Sequence, residues 1–177
     1  MPSPCDPRRA PAGDVSAALL VVDSRLKAVY EGKAPDSAEQ RRLNKQFVES
    51  LGPGGAKDLL DGACTLVFMY MKWLRSACEE HDKDIVEFVV TPMVATMRKM
   101  SRSIRPETIP TMAGLVIAAG MGLSPSLWRQ QYGEWTPEEM NSLEATIFLL
   151  AELINRITED REFATRLVAN ALTAAGR

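Results

Sequence analysis

A single histidine, His81, is the only imidazole in 177 residues. A Ser-His-Asp or Cys-His nucleophilic site would have to use it, and no serine sits in a nucleophile-elbow pattern, so hydrolysis of that kind is not expected. Cys78 lies three residues before His81 on one helical face, but a closed zinc site takes four ligands and no second Cys or His cluster completes it. His81 therefore reads as part of an exposed polar turn over 79–84, and no metal or cofactor is expected. Cysteine is scarce as well. Cys5, Cys64 and Cys78 are an odd number, and positions 64 and 78 of one helix stand about 21 Å apart at about 1.5 Å per residue, too far to bridge. Reduced thiols fit a reducing compartment, hence an expected cytoplasmic location.

Long apolar runs are missing too. The longest, 113–123, has 11 residues and holds three glycines, short of a membrane span. Pro2, Pro4, Pro7 and Pro11 fall among small and charged residues with no hydrophobic block of the secretory kind. Residues 1–13 are thus expected to be a flexible tail ahead of one domain over 14–177. The 21 basic and 23 acidic side chains leave a net charge of -2, no global excess that would draw the chain to nucleic acid or an anionic membrane. No internal repeat occurs, and only 86–90 is locally β-prone.

What the chain does have is helical periodicity. Within 57–80, Leu60, Ala63, Cys64, Val67, Met71, Leu74 and Cys78 form one apolar stripe, and Leu59, Leu66, Tyr70, Trp73 and Ala77 form a second beside it. A helix apolar on so much of its circumference has to be enclosed, so it is expected at the centre. Before it, 14–31 carries Val15, Ala18, Leu19, Val22, Leu26 and Val29 at helical spacing and stops at Gly32 and Pro35. Ser37 and Gln40 form a capping box for a helix through Leu43 and Phe47 that ends at the glycine-proline run 52–55.

A fourth helix from Asp84 meets Pro92, which predicts a kink or a split. Beyond it Met93, Met97, Met100 and Ile104 make an apolar stripe, and Arg98, Arg102 and Arg105 a basic one. Residues 111–122 are small and apolar, and a short helix is expected over 126–132. Thr136-Pro137-Glu138-Glu139 is the clearest start signal in the chain: a capping threonine, proline at the first helical position, and a glutamate that closes the box. The helix it opens carries the seam Met140, Leu143, Ile147, Leu150, Ile154 and Ile157, with Phe148, Leu149 and Leu153 beside it. A last helix follows from about Arg161. The expected fold class is all-α, a single-domain bundle or orthogonal array of about six to seven helices.

Few groups point to chemistry. Asp58 with Asp61 and Glu138 with Glu139 sit at helix starts, where the helix dipole accounts for them. The run 52–57 lacks the spacing of a phosphate-binding loop and follows a helix instead of a strand. One segment has more content. Ala118, Gly122, Leu123, Ser124, Pro125, Ser126 and Trp128, then Gly133 and Pro137, resemble the second and third helices of a lambda-repressor-like helix-turn-helix, over about 113–143. The resemblance implies that 124–132 is a recognition helix, with Ser126, Arg129 and Gln130 toward base edges, Ser124 also contacting DNA, and Arg102 supplying charge from the preceding helix. Against it, residues 106–150 hold five glutamates and one arginine, an acidic setting for a phosphate backbone.

Three functions follow in order. The first is a non-enzymatic protein-interaction or assembly module, self-associating as a homodimer through Phe148, Leu149 and Leu153, because catalytic groups are few and apolar helix surface is abundant. The second is a DNA-binding regulator built on the helix-turn-helix. The third is a binder of a small apolar ligand among methionine-rich helices.

Overall fold

The computed structural model describes residues 4–32, 42, 45 and 55–176. Among them are seven α-helices and no strand: α1 (Ala12–Tyr30), α2 (Gly55–Glu80), α3 (Thr91–Lys99), α4 (Ile109–Gly120), α5 (Pro125–Gln130), α6 (Pro137–Thr158) and α7 (Phe163–Ala175). A π-helical turn, Val86–Val90, runs into α3, and a 3-10 turn, Pro106–Thr108, runs into α4. The all-α class and the helix number agree with the sequence pattern. The helix expected over 37–47, its capping box and the glycine run as far as 54 lie outside the described residues, apart from the helical positions 42 and 45.

The two apolar stripes of α2 are enclosed as their width requires. Every residue from Gly62 to Met71 is buried, and α1, α4, α5, α6 and α7 all pack on this helix. Phe68 and Met69, outside both stripes, are buried too, and Thr65 joins them by donating its hydroxyl to the Asp61 carbonyl at 3.2 Å. Only glycine fits at 62, where a Cβ would stand 2.2 Å from the Asp14 carbonyl oxygen. The start of α1 crosses α2 there at backbone contact.

Turn chemistry sets the remaining boundaries. Asp82 adopts a left-handed φ of 54° while Lys83 N–H returns to the Cys78 carbonyl at 2.8 Å, which closes α2. Asp84 then caps the next helix, accepting from the N–H groups of Val86 and Glu87 at 2.8 and 3.0 Å. Pro92 brings neither a sharp break nor a gap. Its missing N–H and the clash of its ring with the carbonyl four residues back are accommodated by the π register just before it, where Thr91 N–H bonds the Val86 carbonyl. At Thr136 the capping box forms as read: Glu139 N–H donates to Thr136 Oγ1 at 3.2 Å, and Thr136 N–H to Glu139 Oε1 at 3.1 Å.

Within the stretch expected to be a flexible tail, α1 already starts at Ala12, and Cys5 and Asp6 are 2% and 6% exposed, while Pro4, Arg8, Arg9 and 11–13 are exposed. The cause is an apolar thiol small enough to seat against the start of α5, where Cys5 Sγ lies 3.3 Å from Ser124 Oγ and 3.5 Å from Ser126 Oγ. On α6 the seam is buried at Leu143, Ile147, Leu150 and Ile154 but is 37% and 39% exposed at its ends, Met140 and Ile157.

Candidate functional site

The helix-turn-helix segment folds as turn, cap and short helix, yet its central arginine points inward. α5 is only six residues long; Gly122 takes the left-handed turn at φ +83°, and Ser124 Oγ accepts the Leu127 N–H at 3.3 Å. Arg129 is 3% exposed. Its Nε and Nη2 donate to Glu139 Oε2 and Oε1 at 2.8 and 2.7 Å, Nη1 to the Gly133 carbonyl and Nη2 to the Glu134 carbonyl, both at 2.9 Å. Its guanidinium lies 5.0 Å from the Trp135 ring centre. Hydrogen bonding to Arg129 holds the Glu139 carboxyl below the ordinary glutamate range, and the same bonds raise the arginine.

This corrects the role given to Arg129, because a guanidinium with both fork nitrogens on a buried carboxylate has none left for a guanine edge. Ser124 is buried beneath Cys5 as the cap of α5, and Ser126 is half-buried; Gln130 and Arg102 are exposed. The structure therefore does not present the five proposed DNA-contacting residues on one accessible face.

The face of α6 assigned to self-association is altered as well. Phe148 is buried and stacks beneath the Arg25 guanidinium at 4.8 Å, so it belongs to the core. Leu149 and Leu153 are half-buried, and both pack on the core. Periodicity could not separate these cases, because it gives the face of a residue but not which neighbour covers it. His81 is exposed, and among the described residues no group of three or more His, Cys, Asp or Glu side chains is placed to hold a metal ion.

Exposed apolar surface gathers elsewhere, at the corner between α4 and α5. Met121 and Tyr132 are 66% exposed, Leu123 51% and Leu127 50%, all within twelve residues. The corner is closely packed underneath. Trp128 packs so closely on α4 that a Cβ at Gly114 would lie 2.5 Å from its ring, and Trp128 and Tyr132 rings meet at 5.3 Å. Arg75 on α2 donates Nη1 to the Gly120 carbonyl at 2.9 Å, tying down the end of α4. Beside the corner lies a hollow of about 450 Å³ lined by Met71, Val86, Val90, Ile117 and Met121 together with the charged Arg75, Glu79, Lys83 and Asp84. The sequence signal for this surface was the absence of charge through 121–128, which was available but reads equally well as a buried turn. Comparison with protein-family models, with curated proteins and with solved structures finds no match for this chain.

Proposed function

We propose that the chain is a non-enzymatic assembly module that pairs with a second copy of itself through the α4–α5 corner. The observation that carries this reading is the concentration of Met121, Leu123, Leu127 and Tyr132, each at least half exposed, within twelve residues of which 121–128 carry no charged side chain. Burying apolar area contributes about 25 cal/mol per Å², and two copies of an uncharged corner meet without like-charge repulsion. A two-fold contact uses the same patch on both copies and closes the assembly. The hollow beside Met121 accepts the tip of a facing side chain, in the manner of an anchor residue in a pocket.

Light scattering across a concentration series tests the reading. The wild type should shift from monomer to dimer, and Leu127→Glu or Met121→Glu should remain monomeric with an unchanged melting temperature, since both side chains are exposed. A wild type that stays monomeric at millimolar concentration, or a dimer indifferent to both substitutions, overturns the proposal. The DNA-binding alternative has no comparable support once Arg129 is committed to Glu139.

A further inference from the structure

Among the described residues, the packing between α1, α2 and α6 is incomplete. Ala18 on α1 and Ala63 on α2 border one gap, and α6 brings Leu143 and Ile147 to it from the third side. Two alanines leave the space that larger side chains would fill. The two helices cannot close it by moving together, because their backbones already touch beside it. A Cβ at Gly62 would stand 2.2 Å from the Asp14 carbonyl oxygen, and these residues lie next to Ala63 and one turn before Ala18. Protein interiors are otherwise packed like organic crystals, so a space held open in this way is available to a guest.

The result is a recess of about 230 Å³. Its inner wall belongs to the core, since Ala18, Val22, Leu143 and Ile147 are each no more than 3% exposed. Val21, Leu59 and Met140 stand at its partly exposed rim, so a guest enters from solvent without displacing a helix. Of the described residues that line it, only Asn141 and Glu144 are polar. Asn141 is exposed, and Glu144 is already held beside Arg25, 3.8 Å away. The lining thus offers no free counter-charge to an ion that leaves water to enter. An apolar cavity of about 150 Å³ stays dry and holds benzene, which scales to about nine non-hydrogen atoms for this one.

We propose that this recess is a binding site for a compact, neutral, apolar molecule of about nine non-hydrogen atoms. Burial of carbon surface against branched aliphatic side chains drives the binding, and each methylene that fits contributes about fourfold in affinity. A carboxylate or an ammonium group is selected against, because it loses its water without gaining a partner. Size is limited by the recess, since atoms beyond its rim stay in water and contribute nothing. None of Met121, Leu123, Leu127 and Tyr132 lines it, so the site is separate from the α4–α5 corner.

Titration calorimetry on the full chain tests the proposal with propylbenzene, benzene, 3-phenylpropanoate and 3-phenylpropylamine. Propylbenzene should bind about tenfold or more tighter than benzene, and by at least about the same factor tighter than either ion. A readout free of variants is the nuclear Overhauser effect on wild-type protein, which should join propylbenzene to the methyl groups of Val22, Leu143 and Ile147. Ala63→Leu, which fills the inner wall, and Val21→Phe, which narrows the rim without adding bulk to the core, should each weaken binding about tenfold or more. Leu127→Glu should leave it unchanged even where it abolishes the dimer. Absence of propylbenzene binding, Overhauser contacts to Leu123 or Leu127 instead, equal binding of neutral and charged probes, or binding that survives both filling variants would each overturn the assignment. So would methyl shifts at Val22 and Ile147 that follow protein concentration without any guest, because the recess would then be a contact between copies.

Discussion

Replacing Arg129 by alanine separates a structural arginine from a base-reading one. The substitution removes two charge-assisted bonds to Glu139 and the bonds to the Gly133 and Glu134 carbonyls. It leaves the Glu139 carboxylate, in a residue 8% exposed, with the Thr136 N–H as its remaining donor. Removing one member of a buried ion pair costs about 3–5 kcal/mol, because the other charge stays buried without compensation. For a chain of this size each kcal/mol moves the midpoint by about 2–4 °C, so the melting temperature should fall by about 6–20 °C. Urea unfolding should show the same loss with an unchanged slope. The double variant Arg129→Met with Glu139→Leu should recover most of it, short of about 1 kcal/mol for the lost half of the capping box. A loss under about 1 kcal/mol, the range of an exposed pair, would refute the argument, as would a stable Arg129→Ala protein with altered DNA preference.

Three further outcomes follow from the packing and the charges. Because Glu139 is held below the ordinary value of 4.5, the unfolded chain takes up the proton first as pH falls; its stabilising contribution is complete above that value and is lost as pH drops through the lowered folded value, so the Glu139→Gln difference in urea midpoint should shrink in acid. Gly62→Ala gains about 1 kcal/mol of helix propensity, yet the contact with the Asp14 carbonyl forces α1 off α2, so calorimetry should register a net loss of about 1–3 kcal/mol. Asn155→Ala removes the cap on the Ala164 N–H and the bonds to the Arg161 carbonyl and Tyr30 hydroxyl, and amide exchange should show α7 opening first, at a cost of about 2–3 kcal/mol.

The helices and their order were legible in the sequence because they depend on local rules. A capping box, a proline at the first helical position, a glycine at a left-handed turn and an apolar period of 3.6 residues act within one or two turns of chain, and Thr136, Ser124, Gly122 and the stripes of α2 behave as those rules require. Even the disturbance at Pro92 was readable, although its form, a π turn instead of a break, was not.

What the tertiary structure decided was the partner of each side chain. Arg129 in the sequence is a cation on a short helix; only the fold brings Glu139, ten residues on, across it and turns a candidate base reader into an internal strut. Arg25 looks like an ordinary charged position on α1 until α6 places Phe148 and Glu144 against it and leaves its fork without a partner. Phe148 and Cys5 moved from expected surface to core for the same reason, while Met121 and Leu127, in an apolar stretch, lie 66% and 50% exposed. Local energies follow from neighbours in the chain and can be read there. Burial and pairing follow from contacts across more than one hundred residues, as between Cys5 and Ser124, 119 positions apart, and those exist only once the helices have packed.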